Sequence, residues 1–228
     1  FEPSLPAIVT AGFAGTYVLM ISVFNMVGRI FWASMSDFIG RKPTYFIFFS
    51  LGILLYLSIP FTAKAMSIDP IVTYLILFYA ASMVIFTMYG GGFATIPAYL
   101  ADIFGTKYVG GIHGRLLTAW STAGVLGPVA ITQLRQNSVD SAINDLVSKI
   151  SPEKFTEIYG ASIENLSLLV QEKTVTISNL MPHMPEGTIN PSTTLYNSTM
   201  FAMAGLLAIA FVANLLIGPV NEKHHMKE

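Results

Sequence analysis

A single arginine lies inside a long apolar run and is followed by a charged turn. The stretch reads NMVGRIFWASMSDFIGRK over residues 25–42, with Arg29 eight residues before Asp37. At about 1.5 Å per helical residue, this spacing places the guanidinium roughly 12 Å inward from the turn. A guanidinium offers a planar fork of donors that suits a carboxylate. The pattern therefore predicts an anion-binding cation within a membrane.

An arginine in hydrocarbon is costly, at about 2.5–3.5 kcal/mol or more, so it usually faces a protein interior or a water-filled cavity. The alternative is a structural arginine that reaches the headgroups or pairs with a carboxylate. The predicted spans contain no Asp or Glu, which favours the anion. We expect Asn25, Tyr17 and Trp120 to line the same substrate site as Arg29. The alternatives are that Asn25 bridges helices and that the two aromatic residues serve packing. Asn214 is expected either to line a cavity or to bridge helices.

The charged turn carries Asp37, Gly40, Arg41 and Lys42. Asp37 can pair with Arg41 or cap a helix N-terminus. Gly40 permits a sharp turn, and Pro43 suits the start of the next helix. We expect a gating latch here that controls helix movement, and no substrate site.

His113 is the remaining candidate for chemistry, because an imidazole titrates near neutral pH. Proton coupling is one interpretation of this histidine, and packing at the membrane boundary is the other. The sequence shows no nucleophile–base pair, metal-ligand cluster or phosphate-binding loop, and it contains no cysteine. We therefore expect neither an enzyme nor a bound metal or cofactor.

The composition favours a membrane protein. Of the 228 residues, 53% are hydrophobic and only 11% are charged, whereas soluble domains carry about a quarter charged residues. The net charge of −1 gives no support for nucleic-acid binding. We expect an all-α protein in a lipid bilayer. Five apolar stretches are long enough to cross about 30 Å of hydrocarbon: 7–36, 43–61, 71–101, 108–134 and 196–218.

Small residues and prolines mark the third and fourth stretches. Gly90, Gly91, Gly92 and Pro97 predict close helix packing in the third, together with a kink, a tilt or a non-helical interruption. A ligand-lining break is the alternative. In the fourth stretch, the GVLGP sequence at 124–128 is interpreted in the same way, as packing and bending residues.

Residues 136–195 form a long polar segment, which we expect to lie outside the membrane. Its apolar spacing predicts short amphipathic helices, one of them starting at Ser151 as N-cap with proline at the first helical position. The triplets at Asn165 and Asn197 match the glycosylation sequon, although matches of this length arise readily by chance.

Most basic residues of the short connections lie on one side, at 41–42, 107 and the 223–227 tail, whereas the short loop on the other side carries Lys64. This distribution predicts that side, and the C-terminus, to be cytoplasmic. The chain does not begin with methionine, and its odd number of spans would put its ends on opposite faces. We therefore expect it to be part of a larger helical bundle.

The turn SDFIGRK at 36–42 resembles the loop motif of the major facilitator superfamily, with alanine at 33 in place of its first glycine. Residues 25–42, followed by YGGGFATIPAYLADIFGTKYVGGIHGRLLTAWSTAGVLGP at 89–128, look like the oxalate/formate antiporter family within it. The resemblance implies a partial major facilitator bundle of five helices, numbers eight to twelve. The N-terminal half of the same transporter would then be missing, and an inner or plasma membrane would be the location.

The same resemblance implies a secondary transporter of small organic anions, with Arg29 matching a carboxylate-binding arginine of helix eight. Where oxalate-exchanging members tend to carry a helix-eleven lysine, this chain reads TAWS at 118–121. One cation suits one carboxylate, which predicts a monocarboxylate such as formate, lactate or pyruvate, carried by antiport or proton symport. The alternatives are an oxalate/formate exchanger, a carrier of other solutes in which Arg29 is structural, and a non-transporting membrane sensor on the same scaffold.

Overall fold

The computed structural model describes residues 11–68 and 72–218, and all regular structure within these residues is helical. The predicted starts at 7 and 71 and the 223–227 tail lie outside the described residues. Eight α-helices follow one another, with short 3₁₀ turns among the later ones: α1 (Ala11–Ile39), α2 (Arg41–Ile68), α3 (Val72–Phe104), α4 (Val109–Val147), α5 (Pro152–Tyr159), α6 (Leu166–Gln171), α7 (Ile177–Leu180) and α8 (Asn197–Leu216).

Four helices in the described part of the chain are long and apolar enough to cross a membrane, namely α1, α2, α3 and α8. The protein is an all-α membrane protein, as predicted. The count of five spans is not confirmed, because the fifth predicted span falls on α4, which is not among these four. The 109–134 part of α4 is itself less apolar than the other spans, because it contains His113, Arg115 and the weakly polar sequence TAWSTAG at 118–124. Beyond it, α4 continues through the polar sequence TQLRQNSVDS at 132–141 to Val147.

α3 is one continuous helix of 33 residues with Pro97 inside it, so the predicted non-helical interruption is wrong. The glycines serve packing instead. A Cβ at Gly90 would lie 2.0 Å from the carbonyl oxygen of Asn25, and one at Gly91 would lie 2.5 Å from the Cβ of Trp32. Since neither approach tolerates a side chain, the close-packing interpretation of these two positions is confirmed.

The α4 glycines behave differently. A Cβ at Gly124 or Gly127 would meet nothing within 4 Å, so no packing role is visible for them among the described residues. The buried residues of α4 all lie near its C-terminal end, at Ile143, Leu146 and Val147. The apolar part of α4 therefore contributes no buried residue to the membrane bundle.

Residues 139–195, called the polar subdomain below, surround a hydrophobic core of their own. Phe155 and Leu180 are 0% exposed at its centre. The predicted short helices are present as α5, α6 and α7, and Ser151 caps α5 by accepting a hydrogen bond from the backbone N–H of Lys154 at 3.3 Å. The C-terminal turns of α4 form part of this core, so the subdomain continues directly from that helix.

Candidate anion site

The Arg29 side chain lies on the exposed side of α1, where it contacts a residue of the same helix and one of α3. Its Nε donates a hydrogen bond to Asn25 Oδ1 at 3.3 Å, one turn earlier on the same helix. Its guanidinium carbon lies 5.4 Å from the ring centroid of Phe93 on α3. Among the described residues, Arg29 forms no ion pair with a carboxylate. The ring and the amide hold the guanidinium while leaving its charge unneutralised.

The close packing of α1 on α3 positions this arginine. A Cβ at Gly28, directly before Arg29, would lie 2.1 Å from the carbonyl oxygen of Thr87. Trp32 Nε1 donates a hydrogen bond to Thr87 Oγ1 at 3.2 Å, which ties the two helices together one turn further along. Because the backbones touch at these points, Arg29 is directed along the α1–α3 seam toward Phe93.

Aromatic rings extend the site from α3 to α4. The ring centroids of Phe93 and Trp120 are 5.2 Å apart at a steep angle, and those of Tyr89 and Trp120 are 5.6 Å apart. Both distances lie in the range of favourable aromatic contacts. Arg29 and Trp120 thus both contact the ring of Phe93, and the structure connects these two predicted site residues through it.

Sequence reasoning missed Phe93. It is one of 16 phenylalanines, and only its spacing distinguishes it, because it lies one helical turn after Tyr89 and directly after the packed glycines. This spacing places both rings on the face of α3 that meets α4.

Tyr17 is not part of this cluster. It lies twelve residues before Arg29 on α1, which corresponds to about 18 Å along the helix axis. Its ring packs edge-on against Tyr79 with centroids 4.8 Å apart. The structure therefore places Tyr17 toward the other end of the bundle, in a helix-packing contact.

A cavity of about 530 Å³ lies beside the aromatic cluster, between α2, α3, α4 and α8. Phe93, Tyr89 and Trp120 belong to its wall, whereas Arg29 does not. His113 also lines this cavity, about two helical turns before Trp120 on α4. Its Nδ1 is buried without a hydrogen-bond partner in the described chain. This nitrogen is therefore an unsatisfied polar atom beside the cavity, and an imidazole nitrogen donates or accepts a hydrogen bond according to its tautomer.

The charged turn connects three helices. Arg41 donates hydrogen bonds to Ser36 and pairs with Asp37 on α1, and its Nε lies 3.7 Å from Asp102 Oδ2 on α3. Gly40 has a φ of +90°, the left-handed conformation that glycine adopts without steric cost. The predicted Asp37–Arg41 pair is therefore present, and Asp102 is an additional partner from α3. This third helix was not foreseen, because sequence spacing carries no information about it.

Lys42 extends these contacts to α8. Its Nζ donates hydrogen bonds to the carbonyl oxygens of Leu215, at 3.0 Å, and Ile217, at 2.5 Å. A cation at a helix C-terminus is stabilised by the helix dipole. Asn214, 3% exposed, accepts a hydrogen bond from Tyr99 Oη at 3.1 Å and donates one to the carbonyl oxygen of Lys42 at 3.2 Å. Asn214 therefore bridges helices.

Comparison with known proteins gives one informative similarity. The chain is similar to the oxalate:formate antiporter of Oxalobacter formigenes, with 29% identity over 117 residues. The aligned part covers 50% of this chain and 26% of the antiporter, so it spans about a quarter of that relative's length. No protein-family model and no solved structure matches the chain. Together with the apolar helices, this similarity supports a membrane transporter rather than an enzyme.

Proposed function

We propose that the chain is part of a secondary active transporter of small organic anions and that Arg29 binds the substrate carboxylate. The observation that carries this proposal is the state of the Arg29 guanidinium. It is held by Asn25 and Phe93 in an apolar helix, and no carboxylate neutralises it in the described chain. An anionic substrate supplies the missing charge, and its single carboxylate matches the single fork of donors.

The substrate in this proposal is a monocarboxylate such as formate, lactate or pyruvate. α4, which contacts the site through Trp120, contains no lysine, so this helix offers no ammonium for a second carboxylate. An oxalate/formate exchanger is the second candidate, because the relative named above is an oxalate:formate antiporter. In that case a cation elsewhere in the full-length protein holds the second carboxylate.

Transport in this proposal proceeds by alternating access, with the rest of the same polypeptide completing the bundle. The turn with Asp37, Gly40, Arg41 and Lys42 stabilises one gate state at the cytoplasmic face of an inner or plasma membrane. For proton symport, His113 is the candidate proton carrier because it lines the cavity and its buried Nδ1 has no hydrogen-bond partner in the described chain. For antiport, this proton step is not needed.

The test is counterflow in vesicles containing the full-length protein, with labelled formate, lactate, pyruvate and oxalate. Replacing Arg29 with glutamine removes a charge-assisted contact of about 2–5 kcal/mol, so exchange is expected to fall at least about 30-fold. Arg135→Gln is the matched control, since Arg135 also stacks on an aromatic ring, Tyr196, at 5.8 Å, but outside the site.

Unchanged exchange by R29Q, with normal folding, would disprove the carboxylate role. Preference for oxalate over the monocarboxylates would select the exchanger instead. A pH gradient in the same vesicles separates the two coupling modes, because only symport is driven by it and is lost with His113→Gln. Arg41→Gln is expected to change the exchange rate without changing which anions are carried, since the partners of Arg41, namely Ser36, Asp37 and Asp102, lie outside the Arg29 site.

A further inference from the structure

The two glycosylation sequons of the chain differ in their structural setting. One is Asn165-Leu166-Ser167, and the other is Asn197-Ser198-Thr199. A sequon alone is a frequent chance match, so exposure of the acceptor amide and of the hydroxyl residue must decide between them. The structure separates the two cases clearly.

The Asn165 sequon lies on the surface of the polar subdomain, at the junction of a 3₁₀ turn (Ile163–Asn165) with α6. The side chains of Asn165 and Ser167 are exposed. Ile163 and Leu166 pack against the core of the subdomain. Since the inward-facing residues alternate with the sequon residues, the packing of the turn directs Asn165 and Ser167 to the outside.

The side-chain amide of Asn165 does not cap the helix at this junction. Other polar residues cap the neighbouring turns, with Ser162 accepting from the backbone N–H of Glu164 and Thr176 accepting from that of Asn179, at 3.3 and 3.2 Å. Asn165 stands at the N-cap position of α6 but makes no side-chain capping hydrogen bond. Attaching a sugar to this amide therefore breaks no capping hydrogen bond.

The Asn197 sequon has the opposite character. Asn197 is the first residue of α8, a helix long and apolar enough to cross the membrane. Its Thr199 is 4% exposed, and the hydroxyl is buried without a partner in the described chain. A transferase that must contact both the asparagine and the hydroxyl residue is obstructed at this membrane-proximal helix start.

We infer that Asn165 is an N-glycosylation site and that Asn197 is not. The inference requires the polar subdomain to lie on the membrane face opposite the predicted cytoplasmic side, and it does not depend on the transported substrate. The donor is a lipid-linked oligosaccharide. The Asn165 amide nitrogen forms a bond to the anomeric carbon of the first sugar, the bond from that carbon to the lipid pyrophosphate breaks, and the amide loses one proton. A bulky, solvated glycan fits only an exposed acceptor of this kind.

The experiment uses the full-length protein produced in eukaryotic cells and treated with an amidase that removes N-linked glycans. Wild type and Asn197→Gln are expected to lose one glycan more than Asn165→Gln and Ser167→Ala, seen as a mobility shift that is larger by one step. Any glycan on the rest of the full-length protein shifts all four proteins alike. Release in heavy-oxygen water converts a glycosylated asparagine to a labelled aspartate, so peptide mass spectrometry identifies the position directly.

A shift in N165Q as large as that of wild type, a smaller shift in N197Q than in wild type, or no label on Asn165 in wild type would overturn the inference. A cysteine introduced at the exposed Glu157 reports the side of the membrane, in a full-length protein whose other cysteines are replaced by serine; this chain itself contains none. Labelling of this cysteine by an impermeant maleimide from outside, with no glycan on Asn165, disproves the site alone. Labelling only from the cytoplasmic side disproves the orientation as well. Counterflow on the same preparation tests transport separately.

Discussion

The polar subdomain is stabilised in a different way from the bundle of membrane helices. The subdomain buries a continuous cluster of large side chains, with Phe155, Leu180, Leu146 and Val175 at most 1% exposed. In the four candidate spans, only 11–22% of the most apolar window is buried. Helix contact there depends on glycines that let backbones touch, as between Gly90 and Asn25. The more hydrophobic region is therefore the less buried one.

The solvent explains this inversion. Apolar side chains in contact with water gain about 25 cal/mol per Å² when they are buried, which favours a compact core in the subdomain. Lipid tails are as apolar as the side chains, so helices in a bilayer gain little from hiding leucine and phenylalanine. Their association depends on close packing and hydrogen bonds, such as Trp32 to Thr87. These contacts also determine the position of Arg29 on the α1–α3 seam.

The largest expected difference between the regions comes from deleting one buried aromatic ring in each. Phe155→Ala removes a fully buried side chain from a water-facing core, and we expect a loss of about 3–5 kcal/mol. Phe48→Ala removes a ring that is 7% exposed and packs edge-on against Trp32 at 5.0 Å. Here we expect about 1 kcal/mol, because lipid can solvate what remains.

Thermal unfolding of the full-length protein, read by protease cleavage within 139–195, measures the first loss. Cleavage between the spans measures the second. Equal losses for the two substitutions would contradict the solvent explanation. A core that tolerates Phe155→Ala would show that the subdomain depends on its attachment to α4 more than on its own packing.

The second prediction concerns the glycine seam. Gly90→Ala places a Cβ 2.0 Å from the Asn25 carbonyl oxygen, so α1 and α3 must separate. We expect about 1–3 kcal/mol of destabilisation and weaker anion exchange, because Arg29 is then drawn away from Phe93. Gly124→Ala is the control, since a Cβ there meets nothing within 4 Å. Thermal stability and counterflow are measured on both variants. An unaffected G90A would show that Arg29 keeps its position without close contact between α1 and α3 at Gly90.

The sequence predicted the parts of this structure that depend on local pattern. Apolar length predicted the membrane helices, and Ser151 with Pro152 predicted the start of α5. The glycines of α3 predicted close packing but not which residues they meet, since Asn25 and Trp32 belong to another helix. Phe93 and Asp102 were missed for the same reason, because a tertiary contact leaves no local signal. The end of α4 was misplaced because hydropathy marks where a helix becomes polar, not where it stops.

The smallest expected effect is in the polar subdomain, at Tyr159. Its hydroxyl is buried without a hydrogen-bond partner among the described residues, although its ring packs against Phe155 with centroids 4.9 Å apart. Burial of a hydroxyl without a partner is unfavourable, so Tyr159→Phe is expected to stabilise the subdomain by about 1 kcal/mol.

The buried Tyr159 hydroxyl also makes the stability of the subdomain depend on pH. Burial raises the pKa of Tyr159 above its usual value of 10.0, because the charged phenolate loses its hydration. A raised pKa in the folded state favours the neutral form, so the folded subdomain binds this proton more tightly than the unfolded chain does. The associated stability is complete below pH 10 and is lost as the pH rises through the raised pKa. The thermal midpoint of wild type should therefore fall faster than that of Y159F above pH 10. If the thermal midpoints of the two proteins fall in parallel above pH 10, water reaches the Tyr159 hydroxyl, and this edge of the subdomain core is hydrated.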